Sequence, residues 1–263
     1  HIKILEEHIH NNKIRVGHLK GNSFFIRLKK VDNINAVKIS HTLKEIQKYG
    51  IPNYFGFQRF GRDGENHILG KKLSAIDKKS KHKKMDKFFI NAYQSDIFNK
   101  WLSNRIALSK SINEFNPKEL ASILNIDKNG ISLLKNQSNP FKILNGDVMM
   151  HYPFGKLFIA ENIEGESLRF LSKNTSPTGP LIGDKYMLPL FDALKFEEQF
   201  FDSDIKVDGG RRYAVVFCDD IDGKYIEENG HFELKFSLPK GSYATSMLES
   251  IKNQEIKGDE YGE

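Results

Sequence analysis

Cysteine is almost absent from this chain of 263 residues: Cys218 is the single one. One thiol excludes an intrachain disulfide framework and a Cys-based zinc site, and it fits a reducing cytoplasm. Long hydrophobic runs are missing too. No uninterrupted apolar stretch approaches the roughly 20 residues of a membrane span, and no apolar signal segment stands at the start. A soluble, cytoplasmic protein is expected. The nine histidines show no metal-ligand spacing with carboxylates, and no Ser or Cys arrangement surrounds His18 or His67, so neither a metal nor hydrolase chemistry is expected. A glycine-rich phosphate loop of either familiar spacing is lacking, which argues against a nucleotide-binding regulatory domain. There is no internal repeat. The chain opens on His1 rather than Met and runs into what reads as a strand, so it reads as a piece whose beginning is missing.

What is present is a sizeable apolar fraction, 39% of residues, enough for one large domain or two ordinary ones. Forty Lys and Arg stand against 34 Asp and Glu, a net charge of +6 that favours polyanionic partners without identifying one.

Periodicity sketches the elements. Residues 1–9 suggest a strand. Lys13-Ile14-Arg15-Val16 and Ser23 to Leu28 read as two strands around a turn. Ile34, Val37, Ile39, Leu43 and Ile46 recur at mostly three- and four-residue spacing, and Gly50 with Pro52 ends that helix. Eight lysines crowd residues 71–87, an exposed helix or connector and a plausible boundary. Residues 88–108 carry a stripe of Phe89, Ala92, Tyr93, Ile97, Trp101, Leu102 and Ile106 that predicts a helix packed on core. A helical region at 117–135, short strands between 141 and 158, a loop from Pro177 to Gly183 and a helix at 190–201 follow. Tyr213 to Cys218 suits a buried strand, 231–238 alternates as another, and a helix starts near 243. Strands thus lie at both ends with a largely helical section between, as if one domain were inserted into another.

The richest stretch in chemical groups is Asn53-Tyr54-Phe55-Gly56-Phe57-Gln58-Arg59-Phe60-Gly61. Glycines let backbone approach a ligand closely, aromatics offer faces for a flat ring, and a planar guanidinium holds phosphate or carboxylate. A nucleotide suits all three. An aromatic turn feeding a hydrophobic core uses the same residues. Asp63, in Gly61-Arg62-Asp63-Gly64, is close enough in sequence to be a candidate nucleophile, but a turn aspartate is the simpler account.

Taken in order, several short motifs resemble the tRNA pseudouridine synthase D (TruD) family. They are Gly17-His18-Leu19-Lys20-Gly21-Asn22; Gly50 through Gly61; Ala92-Tyr93-Gln94-Ser95 with Phe98-Asn99; Gly146-Asp147-Val148; Pro177-Thr178-Gly179-Pro180; and Leu238-Pro239-Lys240-Gly241-Ser242-Tyr243-Ala244-Thr245-Ser246. The Asn-Tyr-Phe-Gly and Gln-Arg-Phe-Gly pair, joined to the C-terminal Leu-Pro-x-Gly-Ser-Tyr-Ala-Thr-Ser, is specific. The resemblance implies isomerisation of a uridine, expected at position 13 of tRNA, to pseudouridine without a cofactor. It also implies a mixed α/β (α+β) fold whose largely antiparallel pseudouridine-synthase-type sheet is interrupted by an inserted domain. On this reading residues 1–80 are part of the catalytic domain, 81–215 the inserted domain and 216–263 the C-terminal part of the catalytic domain.

In the family the nucleophile is an aspartate in a Gly-Leu-Lys-Asp type motif preceding Gly-His-Leu-Lys-Gly. This sequence has no such motif, so the nucleophile is expected upstream of His1, and the 263-residue piece alone is expected to be inactive. Substrate contact carries over to Asn53 and to Tyr243, where an aromatic, often Phe, is usual. A uridine must be extruded before an enzyme group can reach its glycosidic carbon, and aromatic stacking contributes about 1–3 kcal/mol toward that cost. Phe55 or Tyr243 can supply the face, and Asn53, donor and acceptor at once, can read the uracil edge or the ribose. Phe57 and Phe60 are assigned to core. Arg15, Lys20, Arg59, Arg211 and Arg212 are candidates for RNA phosphate contacts; Arg59 serves a core carboxylate equally well, and the others suit a solvated surface equally well. A non-catalytic RNA-binding protein of the same fold is the alternative.

Overall fold

The computed structural model describes residues 3–4, 6–13, 15, 18–75, 84–124 and 126–254, the side chain of Ile123 excepted. Part of the strand expected over 1–9 lies outside them, and Lys3, Ile4 and Glu6 to His10 form no strand. Of the strand expected over 13–16, residues 14 and 16 lie outside, while Lys13 and Arg15 are irregular. Gly17 and the middle of the lysine run, 76–83, also lie outside the described residues.

Strand β1 (Gly21–Leu28) leads into α1 (Asn33–Tyr49), whose start is fixed by Asp32: its carboxylate accepts the N–H of Asn35 at 2.7 Å, satisfying one of the unpaired first-turn donors. The stripe expected on this helix is only partly inward. Ile39, Leu43 and Ile46 are buried with Ala36, whereas Ile34 and Val37 are each 70% exposed. The short β2 (Ile51–Pro52) follows, then a 3₁₀ turn at Phe57–Phe60, α2 (Asn66–Ser74) and the 31-residue α3 (Lys84–Glu114). Helices α4 (Pro117–Leu124) and α5 (Lys128–Asn136) divide the helical region expected at 117–135. Strands β3 (Val148–His151) and β4 (Leu157–Ile159), helix α6 (Ile163–Leu171) and strand β5 (Thr175–Leu181) come next. The order ends with α7 (Phe191–Glu197), β6 (Gly210–Tyr213), β7 (Val215–Val216), β8 (Asp219–Ile226), β9 (His231–Pro239) and α8 (Ala244–Lys252).

The fold is mixed α/β, and every named strand pair is antiparallel. One sheet has the order β1-β9-β8, a second pairs β2 with β7, and a third runs β4-β3-β5-β6. Strand β9 shows why the alternation is legible: Phe232, Leu234, Phe236 and Leu238 are buried, and the residues between them are less so. Its pairing with β1, from Gly21 opposite Pro239 to Leu28 opposite Phe232, joins chain segments some two hundred residues apart in sequence. Helices α1 and α8 cover that sheet through Ile39, Leu43 and Met247. A second apolar cluster gathers Phe98, Trp101 and Leu102 of α3 against Met149, Phe170 and Phe217.

Strand β5 corrects the loop expected from Pro177 to Gly183. Two prolines sit inside a central strand because other groups replace the ladder bonds they cannot donate. Ser176 Oγ donates to the carbonyl of Val215 at 2.7 Å, Thr178 Oγ1 to that of Val148 at 2.6 Å, and the Ala214 N–H bonds the Pro177 carbonyl at 2.8 Å. Gly179 is required by the helix beneath: a Cβ there would overlap the Trp101 ring and lie 2.8 Å from Phe98 Cε2.

One buried ion pair anchors α3 to this sheet. Arg105 and Asp147 are 1% and 3% exposed, and Nη1 and Nη2 each reach a carboxylate oxygen at 2.7 Å. Arg105 also donates to the Lys142 carbonyl and lies against Trp101, Phe141 and Phe196.

Candidate functional site

The stretch 53–61 lies between the β6–β7 segment on one side and the turn from β9 into α8 on the other. Asn53 starts it. Its N–H bonds the Ala214 carbonyl at 2.8 Å, extending the pairing of β2, and the residue is 4% exposed. Its side chain is held from two directions: Nδ2 donates to the Tyr213 carbonyl at 3.0 Å, and Oδ1 accepts from Arg212 Nη2 at 2.8 Å. A guanidinium only donates and a carbonyl only accepts, so these partners fix which end of the amide is which.

Arg212 is the hub of the arrangement. Besides Oδ1, it donates through Nε and Nη2 to the Asn53 carbonyl at 3.1 and 3.0 Å, and through Nη1 to the Gly241 carbonyl at 2.9 Å. Its guanidinium carbon stands 3.9 Å from the centroid of the Phe55 ring, a stacking distance. Burial pulls its pKa down to about 10, opposed by Tyr243 and reinforced by the positive charge of Arg59, so the group stays cationic at neutral pH. Phe55 in turn meets Phe98 and Tyr243 edge-on, at 5.6 and 6.1 Å between centroids.

Gly56 lets the two ends of the chain meet. A Cβ there would overlap Thr245 Oγ1 and come within 3.1 Å of the Tyr243 ring. Ser246 Oγ, one turn into α8, donates to the Tyr54 carbonyl at 3.2 Å and holds the contact.

Helix α3 supports the stretch from behind. Asn99 Oδ1 accepts the Phe55 N–H and Asn99 Nδ2 donates to the Phe55 carbonyl, both at 2.9 Å. Ser95 Oγ accepts Arg59 Nε at 3.1 Å, and Gln94 Nε2 donates to the Ile182 carbonyl at 2.7 Å. Each polar residue of the Gln94-Ser95 and Asn99 motif therefore has a backbone or side-chain partner near the site or the sheet.

Asn53, Phe55, Arg212 and Tyr243, singled out from sequence, converge in one cluster. Arg59 lies beside it, bonded to Ser95 and 5.6 Å from the Phe55 centroid rather than facing a core carboxylate. Arg211 points the other way. Its side chain is 1% exposed and bonds Glu197 at 2.7 and 3.0 Å and the Thr178 carbonyl at 2.6 Å, so the guanidinium is internal rather than presented to a phosphate. Arg15 and Lys20 are exposed, and the Lys20 carbonyl accepts the N–H of Lys240, which places Lys20 beside the β9–α8 turn. Asp63 is exposed in the turn after the 3₁₀ segment. Sequence reasoning missed the structural role of Asn99 and the division of labour between Arg211 and Arg212; alternation along β6 was the available signal for the second.

Two cavities flank the cluster. Asn53 and Arg212 line one of about 270 Å³ with Tyr213, Lys240 and Ser242, and no carboxylate is among its lining residues. Phe55, on which Arg212 stacks, lines a second of about 740 Å³ with Tyr54, Phe57, Phe60 and Asn99. Phe57 and Phe60, assigned to core from sequence, thus border open space. The first cavity is cationic, with amide and hydroxyl groups at its wall, and suits a neutral heterocycle attached to an anionic backbone. No group of three His, Cys, Asp or Glu side chains placed to hold a metal occurs among the described residues, and no described helix is long and apolar enough to cross a membrane.

The mixed antiparallel α/β fold is that of the pseudouridine synthases, as the comparisons with known proteins show. The family profile of tRNA pseudouridine synthase D (TruD) matches residues 1–82 and 79–251. A tRNA pseudouridine synthase D from Wolinella succinogenes is 48% identical over 261 residues, covering 98% of this chain and 72% of the relative. Its counterpart from Helicobacter hepaticus is 48% identical over 264 residues, covering 95% of this chain and 69% of the relative. A crystal structure of a Methanosarcina mazei protein assigned to tRNA pseudouridine synthase D (TruD) superposes with a TM-score of 0.64 at 17% identity, covering 91% of this chain and 70% of that one. The chain belongs to the tRNA pseudouridine synthase D family.

Proposed function

We propose that the enzyme isomerises a uridine of tRNA, at position 13, to pseudouridine without a cofactor, and that the cluster around Asn53 is its uridine wall. The observation that carries this reading is the convergence of Asn53, Phe55, Arg212 and Tyr243 from three separate chain segments. The remaining N–H and lone pair of Asn53 serve the uracil edge, which carries one donor between two acceptors. The Phe55 and Tyr243 rings supply the aromatic face, Arg212 having taken one side of Phe55. The nucleophile is a carboxylate from outside the smaller cavity, which has none among its lining residues; the larger one is bordered by Asp96 and Glu249, on α3 and α8. Lys20, Arg15 and Arg59 track the RNA backbone. Residues 1–80 and 216–263 form the catalytic part, 81–215 the inserted domain, and the enzyme acts on tRNA in the cytoplasm.

Incubation of the intact enzyme with unmodified tRNA, followed by carbodiimide labelling and primer extension, tests this reading. New pseudouridine at position 13 is expected. Binding of tRNA with no pseudouridine formed overturns catalysis and leaves the non-catalytic RNA-binding protein. Asn53→Ala is expected to lower kcat/KM by about a hundredfold, more than its effect on stability accounts for.

A further inference from the structure

We infer that Arg212 is a positioning residue: it acts on the reaction through Asn53, holding that amide in the one orientation that presents an N–H and a lone pair to uracil. The inference rests on the uridine-wall reading above and changes what Arg212 is for. A phosphate contact needs a guanidinium free at the surface. Here all three guanidinium nitrogens are committed to the Asn53 carbonyl, Asn53 Oδ1 and the Gly241 carbonyl, and the plane is stacked on Phe55.

The geometry fits orientation better than simple support. A side-chain amide has two nearly isosteric orientations, and in a pocket without directional partners both are populated. Arg212 has donors and no acceptor, so rotating the Asn53 amide by half a turn would set Nδ2 against a cation and Oδ1 against the Tyr213 carbonyl. Both bonds would become repulsive at once. One N–H and one lone pair remain for a ligand, and uracil offers a complementary donor and acceptor. The bond to the Gly241 carbonyl couples the same guanidinium to the turn two residues before Tyr243, so edge recognition and ring stacking share one support. Lysine cannot replace it, because a single ammonium cannot span Asn53 and Gly241 in a fixed plane.

The test is a double-mutant cycle in the intact enzyme: wild type, Arg212→Lys, Asn53→Ala and the double variant, with kcat and KM for tRNA measured well below each variant's melting temperature. If Arg212 acts through Asn53, Arg212→Lys lowers kcat/KM by about tenfold or more in wild type, mostly in kcat, but by no more than about threefold when Asn53 is already alanine. Equal losses in both backgrounds would overturn the inference, because a general structural support costs the same with or without the amide. Arg212→Gln, which keeps one donor toward Asn53, runs the same cycle should the lysine variant not fold. A wild-type enzyme that forms no pseudouridine would instead refute the functional reading, a result the cycle keeps separate.

Discussion

Asn99 clasps both polar groups of Phe55, accepting its N–H and donating to its carbonyl, each at 2.9 Å. No other side chain can do both from that position without reshaping, because the task needs an acceptor and a donor on one planar head. Asn99→Asp keeps the acceptor and turns the donor into a second acceptor facing a carbonyl. It is expected to cost about 1–3 kcal/mol of stability, as an unsatisfied and repelled carbonyl does. In pseudouridine assays its kcat/KM should fall further than that of Asn113→Asp, a variant at an exposed position on the same helix outside both cavities. Equal falls would mean that the clasp has no bearing on the site.

Close packing makes a second prediction at Gly56. A methyl there would overlap Thr245 Oγ1 and press on the Tyr243 ring. Gly56→Ala should therefore destabilise by about 1–3 kcal/mol and push the start of α8 away from the wall. Adding Thr245→Ala removes the hydroxyl in the way and should recover part of the lost melting temperature. Failure to recover any of it would place the strain at Tyr243 alone.

The elements with strong periodicity were legible from sequence, and the failures have physical causes. Strand β9 alternates cleanly because one face of it is buried, and the stripe expected on α3 was legible in Ala92, Tyr93, Ile97, Trp101 and Leu102, although Gln94 and Ser95 are buried there as well. Pro177-Thr178-Gly179-Pro180 reads as a loop by composition, yet it is a central strand, since what permits it is the Trp101 surface under Gly179 and the hydroxyls that replace ladder bonds. Strand β8 was hidden because Asp219-Asp220-Ile221-Asp222 is charged; it is an edge strand with an irregular register between Asp219 and Asp222. Arg211 and Arg212 read alike from sequence, both as candidates for RNA phosphate contacts. Placing them in β6 sends adjacent side chains to opposite faces, one to Glu197 and the other to Asn53. The residues of the candidate cluster stood out in the sequence by their motif chemistry, but not which partner each one takes.

The buried pair of Arg105 and Asp147 predicts a strong asymmetry between single substitutions. Asp147→Asn leaves a guanidinium at 1% exposure without its paired carboxylate and puts at risk the acceptor that also holds the Leu144 N–H at 2.7 Å. The expected cost is about 3–5 kcal/mol in urea unfolding. The pseudouridine activity of whatever fraction remains folded should be close to wild type, because the pair lies outside both flanking cavities. A cost below about 1 kcal/mol would show that solvent reaches the pair readily.

Alkaline pH should unfold the protein earlier than its basic composition suggests. Burial raises the Cys218 thiol to about 12 and Tyr186 to about 12, and it raises Tyr93 and Tyr152 as well, Tyr93 with help from its bond to Asp202. Each group is neutral in the folded protein while its unfolded counterpart ionises near pH 9 for cysteine and 10 for tyrosine. A raised folded pKa means that the stabilisation is whole below the unfolded value and is lost as pH climbs toward the folded one, so the unfolding free energy should fall from about pH 9 upward. Lys142 and Arg212, lowered by burial, work in the opposite direction, since losing a proton relieves their buried charge. Burial raises Tyr54 and Tyr213 as well, so raised groups outnumber lowered ones and the net slope is expected to be negative between about pH 9.5 and 11.5. Urea titrations across that range measure it, and Tyr152→Phe, which cannot ionise, should flatten it. The same burial predicts that Cys218 stays unreactive toward Ellman's reagent at pH 8 until urea unfolds the chain; rapid labelling of the native protein would show that the connection between β7 and β8, which carries it, opens locally.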